Sequence, residues 1–206
     1  MLIILKCILS SLILFQAGHT LTKILNFKDS NIGFCEKGLL GLVFLSFIGL
    51  LINFFFPLNI FINSTIFTIL IFLCFWFKTF PIKEILITGI VATLIIYLAN
   101  VNNPDGGLYH LPYIQILNEE KLIIGINNLH YRFALASMFQ YNSAVFNNIY
   151  LGVNGITIPL SITVSYFLYY LHLQLVEFLK QNKDLNYFFS ILYLIIIVSS
   201  LYSFNR

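Results

Sequence analysis

Five side chains able to do chemistry fall within 28 residues of one another: Asp105, Tyr109, His110, His130 and Arg132. They supply a carboxylate, a phenol, two imidazoles and a guanidinium. Several roles are open to them on residue type alone. Asp105 stands in the run Asn102-Asn103-Pro104-Asp105-Gly106-Gly107, which is strong turn chemistry, and an aspartate there can cap the helix that follows. Asp105, His110 and His130 together have the right atoms for a divalent metal, although their spacing is not diagnostic of one. Arg132 suits an anionic headgroup, and Tyr109 suits the level of a membrane interface.

What must position these residues is a membrane protein. Of 206 residues, 59% are hydrophobic, 22 are phenylalanine and only 9% are charged. A soluble domain carries about 25% charged residues. The eleven basic and eight acidic side chains present cannot cover a water-soluble globule of 206 residues. A cytoplasmic enzyme, a disordered chain and a secreted disulfide scaffold are thereby excluded. A net charge of +3, dispersed among the ends of apolar runs, also argues against nucleic acid as a partner. Cys7 and Cys74 lie in apolar runs and Cys35 in a short polar stretch, with no metal-ligand or redox spacing among them.

No Asp, Glu, Lys or Arg occurs between Lys37 and Lys78, between Arg132 and Glu177, or between Asp184 and Arg206. About 20 apolar residues span the hydrocarbon layer as a helix. The runs are continuous rather than alternating, which favours helices over a barrel. The expectation is an all-α polytopic bundle of about six spans, near 1–18, 38–57, 60–78, 82–101, 152–178 and 187–204. Pro57-Leu58-Asn59 turns the second span into the third, and Pro81 opens the fourth. Gly152, Gly155 and Pro159 predict a bent or interrupted start to the fifth. The first run lacks a basic leader region and a cleavage site, and reads as a retained span.

The chain divides into a four-span region at 1–101, a loop at 102–148 and a two-span region at 149–206. Lys23, Lys28, Lys37, Lys78, Lys83, Lys180 and Lys183 fall on one side of the membrane. Lys121, Arg132, Arg206 and a snorkelling Lys6 fall on the other. Basic residues favour the cytoplasm, so seven against four puts the loop on the extracytoplasmic face of the cytoplasmic (inner) membrane. Loops beyond about 12–15 residues are usually functional or disordered. This one is rich in Tyr, Leu, Ile and Phe, which excludes disorder. Tyr113, Ile114, Ile116 and Leu117 share one helical face and Gln115, Asn118 and Glu119 the other, predicting a short interfacial helix. A second is expected over 127–140. Glu119-Glu120-Lys121 reads as a solvated face.

The segment Asp105-Gly106-Gly107-Leu108-Tyr109-His110-Leu111-Pro112 resembles the D-x-x-x-Y-H-L-P signature in the outer loop of bacterial GT-C-type glycosyltransferases, and 123–143 resembles that loop's continuation in uncharacterised polytopic relatives. These membrane enzymes use polyprenyl-phosphate-linked sugars, and an acidic residue of the loop serves at their catalytic centre. The resemblance implies that Asp105 is the catalytic base, taking the proton of the acceptor hydroxyl as the glycosidic bond breaks. It implies that Tyr109, His110, His130 and Arg132 bind substrate, Arg132 and His110 against the leaving phosphate. No nucleotide or metal cofactor is required by that chemistry. The implied partners are membrane lipids and a lipid-linked sugar, with a lipid, polysaccharide or protein as acceptor.

Two departures stand beside the resemblance. The loop follows the fourth span rather than the first, and family members have more spans. The chain therefore reads as an N-terminal or truncated portion, or as one part of an assembly with a further transmembrane subunit. The competing reading is a non-catalytic membrane module that binds lipid-linked glycans. A transporter is a third and less favoured reading, because the spans hold few polar residues besides asparagines and His172 to line a pathway, and Glu177, near the cytoplasmic end of the fifth span, reaches water.

Overall fold

A computed structural model of the chain describes residues 2–27, 32–99, 106–129, 131–134 and 137–181, together with Leu192 and Ile196. Every regular element among the described residues is helical. Helix α1 runs Leu2–Ile24, α2 Phe34–Asn53, α3 Ile60–Phe77 and α4 Ile82–Leu98. Two short helices follow, α5 Leu111–Glu119 and α6 Met138–Val145, and then the long α7, Ile158–Gln181. Four segments are long and apolar enough to cross a membrane: Leu2–Ile24, Phe34–Asn53, Ile60–Phe77 and Val153–Glu177. The expected fourth span corresponds to α4, whose 17 residues are as apolar but slightly shorter. The expected sixth, 187–204, lies outside the described residues except for Leu192 and Ile196, both helical.

Residue chemistry sets the helix ends. The Asn59 side chain accepts hydrogen bonds from the backbone of Phe61 (3.1 Å) and Ile62 (3.0 Å), capping α3 as an asparagine in that position should. Pro81 stands at the start of α4. The interrupted entry to the fifth span is a 3₁₀ turn over Val153–Thr157, with Pro159 in the first turn of α7, where its missing N–H costs little. Helix α2 begins four residues earlier than the sequence suggests, so Cys35 is a buried residue of a span rather than of a polar stretch.

Helix α1 is the centre of the bundle and packs on α2, α3, α4 and α7. Apolar side chains gain nothing over lipid by touching each other, so close backbone approach and polar links hold such helices together. Gly18 and Gly41 cross so tightly that a Cβ on Gly18 would lie 1.6 Å from the Lys37 carbonyl oxygen, and one on Gly41 1.8 Å from that of Leu14. Gly38 leaves room for the Tyr166 ring. Polar links join them as well. Tyr166 Oη donates to the Ser11 carbonyl (2.6 Å), the Ser11 and Thr88 hydroxyls pair at 2.7 Å, and Thr79 Oγ1 donates to Gln16 Oε1 (2.6 Å). Leu58 bonds to Leu117 of α5, Asn63 to Ala144 of α6 and Lys6 to Leu151, so the 57–59 turn, α5, α6 and the start of α1 lie at one end of the bundle. Phe34 and Phe77 meet α1 through Phe15 and His19 toward the other end.

Candidate functional site

The segment after α4 is fastened to the α2–α3 hairpin by asparagines. Asn53, the last residue of α2, donates to the carbonyls of Leu117 (3.3 Å) and Glu120 (3.0 Å), and its own carbonyl accepts from Leu122 N (2.8 Å). Leu58 N donates to Leu117 O at 2.9 Å. Asn63 Nδ2 donates to the carbonyls of Leu58 (2.6 Å), Ala144 (2.8 Å) and Asn147 (2.9 Å), and Asn118 Nδ2 reaches the Leu58 carbonyl from α5. Asn142 of α6 donates to Leu42 O (2.8 Å) and to the Ser46 hydroxyl, both on α2. Carboxamides suit this work because one side chain satisfies several carbonyls at a helix end without burying a charge. Helix α5 buries Tyr113, Ile114 and Leu117 as its periodicity predicts, while Ile116 is half-buried.

On this platform the motif residues form a single π turn, Gly106–His110, that runs directly into α5. Pro112 accounts for the widening. In a regular α turn its ring would press on the Leu108 carbonyl and its missing N–H would leave that carbonyl unpaired. Such wide turns recur at functional sites. The Tyr109 and His110 rings lie 4.2 Å apart, and the Arg132 guanidinium sits 4.8 Å from the Tyr109 ring centre. Arg132 Nε also donates to Tyr131 Oη at 3.0 Å. Arg132 is thus held between two tyrosines, its guanidinium 4.8 Å from the Tyr109 ring centre and 5.7 Å from that of Tyr131.

Gln140 lies against His110. The backbone N–H of Ser137 donates to Gln140 Oε1 (2.8 Å) in a capping box at the start of α6, which fixes which end of the carboxamide is oxygen. The amide Nε2 then faces His110 Nδ1 at 3.4 Å. An amide nitrogen only donates, so Nδ1 accepts and the neutral ring carries its proton on Nε2. That leaves an N–H on the far nitrogen for an anionic oxygen. Beneath the motif, Tyr113 and Tyr141 are buried against each other. Burial pushes both phenols above their ordinary value, the hydrogen bond to Tyr141 opposing the shift at Tyr113 and the neighbouring Tyr113 adding to it at Tyr141. Both stay neutral across the physiological range.

Three of the residues singled out in the sequence, Tyr109, His110 and Arg132, therefore meet at one place. Asp105, which directly precedes the π turn in the chain, and His130 lie outside the described residues. The helix expected over 127–140 is instead two 3₁₀ turns, Ile126–Asn128 and Tyr131–Ala134, followed by α6. Gly125, at φ +83°, starts the first turn with a backbone that other residues rarely adopt. Asn118, placed by the helical wheel on the solvated face, is bonded to the hairpin instead. Nothing in the spacing singles out Tyr131, whereas Ser137-x-x-Gln140 is a capping signature visible in the sequence. Among the described residues no three His, Cys, Asp or Glu side chains converge as a metal site. The His172 ring stacks on Tyr169 in α7, away from this cluster in the chain.

The site belongs to a helical membrane-type protein whose polar segment is built onto one end of an apolar bundle. The chain belongs to a family described as a domain of unknown function (DUF8201), which matches it over residues 1–205. No curated protein and no solved structure matches it.

Proposed function

We propose that this chain is a glycosyltransferase-like protein of the cytoplasmic membrane, with about six spans and residues 102–148 on the outer face. It transfers a sugar from a polyprenyl-phosphate donor to a lipid, polysaccharide or protein acceptor. The observation that carries the reading is the motif Asp105–Pro112, together with the meeting of its Tyr109 and His110 with Arg132, a residue 22 positions beyond His110. An acceptor hydroxyl attacks the anomeric carbon and Asp105 takes its proton. The bond from that carbon to the phosphate oxygen breaks, and the polyprenyl phosphate leaves with the electron pair. The guanidinium of Arg132 balances the charge that gathers on the phosphate, and the Nε2–H of His110 donates a hydrogen bond to it. One displacement inverts the anomeric configuration, and no cofactor takes part.

The test is a transfer assay on purified protein in liposomes containing a polyprenyl-phosphate-linked sugar. Release of polyprenyl phosphate is the expected result. Donor binding without release across a panel of acceptors points instead to a non-catalytic glycan-binding module. In the same assay Arg132→Ala should raise the donor KM about tenfold or more, the loss of a charge-assisted bidentate contact, and Arg132→Lys should recover only part of it. An unchanged KM in Arg132→Ala removes that residue from the donor site.

Sidedness has its own test. Ile124 is 95% exposed, and Cys7, Cys35 and Cys74 are all buried, so a cysteine at Ile124 is a clean reporter. Ile124→Cys should react with a membrane-impermeant maleimide in intact cells. Labelling only after permeabilisation would put the loop in the cytoplasm and end the outer-face proposal. Asn142, although within the loop, is fully buried and unsuited to this use.

A further inference from the structure

Lys6 is a cation within the otherwise apolar first half of α1, and ionisable groups in such places usually have a purpose. Its ammonium donates to the Leu151 carbonyl at 2.5 Å. That carbonyl belongs to a turn held by Asn148, whose Oδ1 accepts from the backbone of Tyr150 and Leu151 at 3.1 Å each. An ammonium has three N–H donors, and one neutral carbonyl balances neither its charge nor its hydrogen-bonding capacity. Among the described residues no carboxylate pairs with it.

Beside the ammonium is a cleft of about 300 Å³ lined by Leu2, Ile3, Lys6, Tyr97 and Asn154. It gathers a cation, a carboxamide and a phenol, drawn from α1, the last turn of α4 and the 3₁₀ turn before α7. The helix surface on either side is apolar, with Leu2 and Leu5 of α1 and Leu98 of α4 all exposed. A tyrosine in the position of Tyr97 belongs at headgroup level. Tetrahedral oxygens accepting from several separate donors, with one positive charge to balance, describe a phosphate. An apolar surround describes the lipid that carries it.

We propose that this cleft holds the phosphate of an anionic membrane lipid, with Lys6 as its counter-ion and Asn154 and Tyr97 as further hydrogen-bonding partners. The site rests on Lys6 and the cleft alone. Only the identification of that lipid as a polyprenyl phosphate rests on the transferase reading.

The experiment is native mass spectrometry of the full chain in detergent, titrated separately with a polyprenyl phosphate, phosphatidylglycerol and the uncharged polyprenol. The wild type should retain one phosphate-bearing lipid and should retain the polyprenol at least about tenfold less. Lys6→Met should lower retention of the phosphate lipid about tenfold, the loss of one charge-assisted contact, and Lys6→Arg should preserve it. Lys6→Met also removes the bond to Leu151 and so tests folding at the same time. Asn154→Leu and Tyr97→Phe leave that bond in place, and each should weaken retention about threefold. Preference for the polyprenyl phosphate makes the cleft a holding site for the free carrier lipid, separate from the donor phosphate at Arg132 and His110. Equal retention of phosphatidylglycerol makes it a phospholipid site, and the transfer assay then stands or falls separately. Polyprenol held as well as polyprenyl phosphate overturns the proposal, as does wild-type retention in both Asn154→Leu and Lys6→Met.

Discussion

Gly41→Ala is expected to destabilise the bundle by about 3 kcal/mol or more, and Gly41→Leu to prevent its assembly. The ground is geometric. A Cβ at position 41 lies 1.8 Å from the Leu14 carbonyl oxygen and 2.8 Å from the Gly18 backbone nitrogen. Those atoms are helix backbone and cannot rotate aside, so α1 and α2 have to separate. Separation is costly at this place because α1 is the element on which α2, α3, α4 and α7 converge. Gly18→Ala should behave alike, since its Cβ meets the Lys37 carbonyl oxygen at 1.6 Å. Thermal unfolding of the detergent-solubilised protein, followed by circular dichroism, reads the effect. The control is Gly106→Ala and Gly107→Ala, whose Cβ positions have no atom within 4 Å. Equal melting temperatures for Gly41→Ala and Gly107→Ala would remove the α1–α2 crossing as the origin of stability.

That crossing was open to reading and shows where sequence analysis of such a chain stops. Continuous apolar runs declare their helices, because only an internally bonded backbone survives in lipid, and the ends followed from Pro57, Asn59, Pro81 and Pro159. Which faces meet is a different question, since in lipid an apolar face does not announce its partner. The signal lies in small residues, here Gly38, Gly41, Ser46 and Gly49 along α2. Gly49 faces Val145 and Tyr141 of α6 much as Gly38 faces Tyr166.

The loop divides in the same way. Its first helix was legible because Tyr113, Ile114 and Leu117 repeat at helical spacing and are buried. Its anchoring was not. Nothing in the spacing of Asn53, Asn63, Asn118 and Asn142 marks them as anchors, and only the fold supplies the distant carbonyls to which they donate. The meeting of Arg132 with Tyr109 is equally beyond periodicity, because two 3₁₀ turns rather than a helix carry the chain back over the motif.

Asp105→Asn is the substitution expected to change activity most. The carboxamide keeps the shape of the side chain and its capacity to accept a hydrogen bond at the turn, but it cannot take a proton from an attacking hydroxyl. Loss of a general base lowers turnover about 10²- to 10⁴-fold. Donor binding should persist, because the proposed phosphate contacts are made by Arg132 and His110 rather than by Asp105. The expected pattern is therefore a collapsed kcat, a donor Kd within about twofold of the wild type and an unaltered melting temperature. That combination separates the two roles this aspartate could fill. If Asp105 only caps the segment that follows, asparagine serves about as well and turnover survives, since asparagine and aspartate are nearly equivalent in that position. Asp105→Ala then completes the argument: a cap loses about 1 kcal/mol of stability with alanine and almost none with asparagine, whereas a base loses turnover with both. Wild-type transfer by Asp105→Asn assigns the residue to the turn and takes the chemistry away from it.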